Sequence, residues 1–206
     1  ALDDPDQVIT ALKAIAAAAQ SKAGIADKAG ALTRLQQTLA DPALARQNAD
    51  MLSYYGGDIV GAVTTAASPE RAQLLTLWNR ALDALNADAS LSRADRLSAV
   101  QAKVSLAKLG QAKDAPLSLP PELIAQSREA ASTADKSTTN TYERQAVIPS
   151  AADLLAEVGL LDESDAMLKA ELPKAVSPYY HMLGLAQNAK RRGDKTGSLK
   201  WAEQAY

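Results

Sequence analysis

The stretch RRGDKTGSLKWAEQAY, residues 191–206, has the pattern of a tight turn followed by an amphipathic helix. Gly193 opens the turn, and Ser198 is a small residue suited to a close helix contact. Ala202 and Ala205 fall on one face of the helix that follows. Helical periodicity also precedes the turn, so the pattern predicts two helices that pack together as a hairpin.

The composition of the whole chain favours helices. Phenylalanine is absent, aromatic residues make up 4% of the 206 residues, and alanine and leucine recur throughout. Alanine is the strongest helix former, whereas strands are built from the β-branched and aromatic residues that this chain uses sparingly. The sequence therefore predicts an all-α fold.

Charge and cysteine content exclude several classes of function. The formal net charge of −2 argues against a nucleic-acid-binding protein, which would normally present a basic face. No run of eighteen apolar residues occurs, so no membrane span is expected. The absence of cysteine excludes disulfides, thiolate metal sites and cysteine nucleophiles from this chain.

Asp or Ser directly before Pro recurs along the chain, at Asp4-Pro5, Asp41-Pro42, Ser68-Pro69 and Ser177-Pro178. This order suits a helix start, because the side chain can cap the first turn and proline there gives up no hydrogen bond. The run Tyr54-Tyr55-Gly56-Gly57 is interpreted as a helix end with a tight turn. The predicted helices are 5–19, 25–40, 42–55, 57–66, 69–86, 92–109, 120–135, 139–158, 162–172, 178–192 and 194–206.

We expect an N-terminal helical region at 1–115 and a C-terminal helical region at 116–206. Together they would form one continuous, α-solenoid-like array of antiparallel helical hairpins. Two polar or proline-rich breaks, GQAKDAPLSLPP at 110–121 and KSTTN at 136–140, are candidate hinges. Pro149 is expected to kink its helix or to mark its true start.

Gly159 and Gly193 are 34 residues apart, which is the period of the tetratricopeptide repeat. Small residues recur at matching positions around both glycines, although Glu171 stands where a small residue is typical. The sequence predicts two such repeats at about 145–206, and the alternative is a pair of ordinary helical hairpins that share a period. Trp201 and Tyr206 lie where a following helix would pack, so we expect the array to continue beyond this chain.

Residues 142–206 resemble the helical C-terminal region of bacterial exported thioredoxin-family proteins. The segments LLDESDAMLKAELPK and SPYYHMLG carry the resemblance most clearly. It implies an accessory module of a thiol–disulfide protein, located in the periplasm. The chemistry of that family resides in a Cys-x-x-Cys motif, and this chain has no cysteine, so no catalytic residue carries over.

The candidate partner-binding residues lie in the last two predicted helices: Tyr179, Tyr180, His181, Arg191, Arg192 and Trp201. Tyrosines offer broad apolar area with a hydroxyl group, which suits a binding surface, but core packing is the better explanation of their positions. The basic residues would suit an acidic partner, or they can simply stabilise the end of a helix. His181 is the only histidine and has no nucleophile or metal-ligating residue beside it in the pattern.

No constellation of nucleophile, base and orienting group occurs, so the sequence predicts a non-catalytic protein-binding or peptide-binding module without a cofactor. A structural protein of the cell envelope that forms a homo-oligomer is the first alternative. A cofactor-free enzyme with a cleft between two helical halves is the second.

Overall fold

The computed structural model describes residues 5–21, 24–47, 49–65, 68–88, 92–109, 111 and 118–205. Every regular element in these residues is a helix, which confirms the all-α fold. The chain divides into two compact units, Ala1–Leu119 and Pro120–Tyr206. No helix in the described ranges is both long enough and apolar enough to cross a bilayer.

The first unit contains the helices α1 (Pro5–Gln20), α2 (Lys28–Ala40), α3 (Pro42–Gln47), α4 (Ala49–Val63), α5 (Pro69–Ala87) and α6 (Arg93–Leu109). α4 packs against α1, α5 and α6, and α5 also packs against α2, α3 and α6. Their apolar faces form one buried core that includes Leu35, Leu52, Leu74 and Trp78. The predicted helix at 42–55 is wrong, since α3 ends at Gln47 and α4 runs from Ala49 to Val63.

Two of the proline-linked caps lie where the sequence predicts them. The Asp41 carboxylate accepts a hydrogen bond from the Ala43 amide at 2.9 Å, and the Ser68 hydroxyl accepts one from the Arg71 amide at 3.2 Å. These side chains satisfy amides that the first turn of a helix leaves without partners. The predicted cap at Asp4 lies outside the described residues.

The predicted helix end at Tyr54-Tyr55-Gly56-Gly57 is wrong, because α4 continues through both glycines to Val63. Gly56 allows close packing within the helix. A methyl group at Gly56 would lie 3.1 Å from the ring of Trp78, and the Trp78 indole N–H donates to the Leu52 carbonyl at 3.1 Å. Trp78 is fully buried, so its ring lies close to the α4 backbone at a position where any larger residue would crowd it.

The second unit contains α7 (Pro121–Ser137), α8 (Thr141–Glu157), α9 (Leu161–Glu171), a short 3₁₀ helix (Leu172–Lys174), α10 (Tyr179–Arg191) and α11 (Lys195–Ala205). Each helix packs on the next along the chain, and α8 also packs on α10, as in a helical array. The Asn140 side chain caps α8 by accepting from the Tyr142 amide at 2.9 Å. Pro149 lies within α8 and does not mark its start.

The predicted cap at Ser177 is wrong. Pro178 itself occupies the capping position of α10, and no side chain accepts a hydrogen bond there. The Ser177 amide donates instead to the Gln145 side chain of α8 at 3.0 Å. The first turn of α10 therefore lacks the capping hydrogen bond that holds α8, and it depends on tertiary contacts.

The turns at Gly159 and Gly193 repeat the same hydrogen bonds 34 residues apart. Both glycines adopt positive φ angles, +86° and +79°. The amide after each glycine donates to a carbonyl five residues back, Leu160 to Leu155 and Asp194 to Ala189, both at 2.9 Å. This is a Schellman-type helix end, which favours glycine in the left-handed region.

Candidate binding face

α8 and α10 run side by side in the same direction. Gln145, near the start of α8, accepts from the Ser177 amide just before α10, at 3.0 Å. Asp153, near the other end of α8, pairs with Arg191 at the end of α10, at 3.1 Å. Because the N-terminal ends of α8 and α10 contact each other and their C-terminal ends do as well, the two helices are parallel neighbours.

Two exposed tyrosines lie at the same end of this pair. Tyr142 in the first turn of α8 is 78% exposed, and Tyr180 in the first turn of α10 is 60% exposed. Tyr179 is only half-buried and contacts the Tyr180 ring edge-on, with ring centroids 5.1 Å apart. The sequence pointed to Tyr180 but not to Tyr142, because exposure at a helix start depends on the neighbouring helices.

Exposed and half-buried side chains follow these tyrosines along both helices at helical spacing. We call this surface the α8–α10 face, and define it as Tyr142, Ala146, Ser150 and Asp153 of α8 with Tyr180, Leu183, Gln187 and Arg191 of α10. One end is aromatic, and the other is the Arg191–Asp153 ion pair. The face therefore offers apolar contact at one end and hydrogen-bonding groups at the other.

Arg192 lies beside Arg191 but points to a different helix. Its guanidinium donates to Asp165 at 2.9 Å and to Asp162 at 2.8 Å, both on α9. Two carboxylates of the acidic run after Gly159 are therefore paired with Arg192, the residue directly after α10. Glu163 of the same run is held by Arg128 of α7, whose guanidinium donates to both carboxylate oxygens and lowers the pKa of Glu163.

A buried chain of hydrogen bonds fixes α10 against α8 and α9. The Asn188 amide donates to the Ser164 hydroxyl at 2.8 Å, and Ser164 donates to the Ala152 carbonyl at 2.7 Å. Asn188 and Ser164 are 2% and 1% exposed. Because buried polar groups need partners, this chain sets the register of the three helices and makes the α8–α10 face rigid.

Arg144 forms the densest polar cluster of the second unit. Its guanidinium donates to both carboxylate oxygens of Glu171 at 2.7 Å and to Asp135 at 2.7 Å. It also donates to the Asp135 and Thr138 carbonyls at the end of α7. The pair raises the pKa of Arg144 and lowers that of Glu171, which explains why a carboxylate occupies a position where a small residue is expected.

His181 lies in the interior, beside this cluster. Its side chain is fully buried, and neither ring nitrogen has a hydrogen-bond partner. Burial lowers its pKa because a charged imidazole loses hydration there; Glu171 opposes this effect and Arg144 adds to it. At neutral pH the imidazole is therefore neutral, and it does not line the α8–α10 face.

Trp201 of α11 is half-buried and packs against a small core of Ala152, Leu168 and Leu185. Tyr206 lies outside the described residues. Leu199, on the same helix as Trp201, is 65% exposed. Within the described ranges, no three His, Asp or Glu side chains are grouped to hold a metal ion.

The first unit contains a separate groove of about 980 Å³ between α3 and the second half of α5. Its floor is alanine and leucine, including Leu39, Ala81 and Leu85. Arg46 and Asp88 form an ion pair at its rim, at 3.2 Å. Apart from Arg46, Arg80 and Asp88, the lining consists of alanine, leucine and proline.

Comparison with known proteins gives no relative: no protein-family model, no curated protein and no solved structure matches this chain.

Proposed function

We propose that this protein is a non-catalytic binding module that holds an extended peptide segment of another protein on the α8–α10 face. The observation that carries the proposal is the pair of exposed tyrosines, Tyr142 and Tyr180, at the same end of two parallel helices. Large aromatic side chains dominate binding energy at protein interfaces, and here they stand on a preformed surface.

The rest of the face supports a peptide as the ligand. Gln187 and the Arg191–Asp153 pair provide donors and acceptors along the axis of the helices, away from the tyrosines. An extended chain laid along this axis would meet apolar contact first and polar contact further on. Because the buried Asn188–Ser164 chain already fixes the helices, little conformational entropy would be lost on binding.

We further propose that the hairpins of the second unit are tetratricopeptide repeats that serve an exported thioredoxin-type protein in the periplasm. The repeated glycine turns support the first part, since their hydrogen bonds recur at the 34-residue period. The thioredoxin link and the compartment are supported by the resemblance of residues 142–206 alone.

Selection of peptides from a random display library, followed by titration of the best binder, tests the binding role. We expect the double variant Tyr142→Ser, Tyr180→Ser to weaken binding of that peptide by at least about tenfold, since each lost aromatic anchor removes more than 1 kcal/mol in a typical interface. Leu199→Ser is the control, because Leu199 is similarly exposed but lies on α11.

Equal loss of affinity in the double variant and in Leu199→Ser would contradict the proposed face. Unchanged affinity in both would place the peptide elsewhere. A library that yields no binder to the folded chain would contradict the binding role itself.

A further inference from the structure

The structure places its only histidine where a proton is poorly tolerated. His181 is 0% exposed, and neither Nδ1 nor Nε2 has a hydrogen-bond partner. Buried polar side chains in folded proteins are almost always hydrogen-bonded, and an unpaired one is an exception that calls for a reason. His181 also stands in the first turn of α10, directly after Tyr180.

The charged groups around the imidazole do little to stabilise its protonated form. The negative charge of Glu171 on α9 favours the protonated imidazole, but both its oxygens already accept hydrogen bonds from Arg144 of α8, and Lys174 lies 3.8 Å away from it. Arg144 is itself a cation that opposes protonation of His181. Asp135 of α7 is turned to Arg144 as well.

The position of His181 in the first turn of α10 also disfavours its protonation. The first turn of a helix carries the positive end of the macrodipole, so a cation there is disfavoured. The first turn of α10 has no capping side chain and no acidic residue to offset this effect. It is held by tertiary contacts, of which the buried imidazole is one.

We propose that protonation of His181 releases the first turn of α10 from the interior, so that mild acid disrupts the tyrosine end of the α8–α10 face. The release itself is a property of the fold. Its consequence for ligand binding rests on the function proposed above.

The sign of the pH dependence follows from where the proton binds more easily. Burial lowers the pKa of folded His181 below its ordinary value of 6.5, whereas the unfolded chain titrates near that value. The unfolded chain therefore takes up the proton first, and stability is lost as pH falls below about 6.5. Glu171 and Glu163, whose pKa values are lowered from 4.5, contribute losses only in more acidic solution.

The direct test is an NMR titration of the single imidazole in the intact chain, which requires no variant and no ligand. We expect its ring resonances to titrate below the ordinary histidine value, with backbone shifts concentrated at residues 177–185. An imidazole that titrates at or above the ordinary value would overturn the proposal. A titration below the ordinary value that leaves the amide chemical shifts of residues 177–185 unchanged would also overturn it.

Two non-titrating variants, His181→Gln and His181→Leu, test the consequence for stability. In the unaltered chain, the urea midpoint of the second unit should decrease when the pH is lowered from about 7 to about 5. In a variant that folds, most of this decrease should be absent. An equal fall in the unaltered chain and in the variant would overturn the proposal. The peptide titration at the two pH values is separate: its failure would count against the binding role, not against the release of the turn.

Discussion

At the scale of single residues, burial decides which of two similar ion pairs matters. Arg144 and Arg128 each hold a glutamate with two hydrogen bonds. The Arg144 side chain is 18% exposed and its partner Glu171 is 4% exposed, whereas Arg128 and Glu163 are about half exposed. Water screens an exposed pair strongly, and removal of one partner from a buried pair leaves an uncompensated charge.

Arg144→Ala should therefore lower the free energy of unfolding of the second unit by about 3 kcal/mol, because it leaves Glu171 buried without its partner and two carbonyls of α7 without donors. Urea denaturation at neutral pH measures this loss. Arg128→Ala is the matched control and should change the urea midpoint little. Similar losses in the two variants would show that burial does not decide the contribution of these pairs.

At the scale of elements, α4 shows that the same residue type has opposite effects at two positions of one helix. Glycine is a poor helix former, so alanine is normally stabilising within a helix. At Gly56, however, the added methyl group would press on the Trp78 ring at 3.1 Å, and Trp78 is locked in the core. At Gly61 nothing lies within 4 Å of the same methyl position.

Gly56→Ala should accordingly destabilise the first unit by about 1 kcal/mol through overpacking, and Gly61→Ala should stabilise it by about 0.5 to 1 kcal/mol. Thermal unfolding followed by circular dichroism compares the two variants directly. A stabilising Gly56→Ala would mean that the core around Trp78 can shift to admit a methyl group. The contact between Gly56 and the Trp78 ring would then not explain the glycine at this position.

At this scale, two of the caps formed within a few residues could be predicted, and contacts between distant residues could not. The starts of α3 and α5 could be predicted because Asp41 and Ser68 cap through bonds to residues two or three positions away. The course of α4 could not, because Gly56 contacts a tryptophan 22 positions further along the chain. On the α8–α10 face, the sequence singled out Tyr180 by its residue type, whereas the burial of His181 in the first turn of the same helix could not be read from the sequence.

At the scale of the whole molecule, the chain consists of two compact helical units that meet in sequence at Leu119 and Pro120. The second unit has its own core, its own ion pairs and the proposed binding face. A unit of this size is small for an independent domain, but its buried hydrogen-bond chain and paired charges add to a modest apolar core.

A chain of residues 118–206 should therefore fold alone. We expect helical circular dichroism and a single cooperative urea transition, with peptide affinity equal to that of the full chain. A fragment that is helical only in the presence of residues 1–117 would show that the first unit is required for the fold of the second.

The buried hydrogen-bond chain from Asn188 through Ser164 to the Ala152 carbonyl also limits how this protein can change by mutation. Replacement of either side chain alone leaves a buried donor or acceptor unpaired. Replacement of both by apolar residues of similar shape removes that penalty and takes one donor from Asp165, which Arg192 also pairs. The two positions are 24 residues apart in sequence, but their effects on stability are coupled through this hydrogen bond. Among descendants of this chain, we expect positions 164 and 188 to change together or not at all.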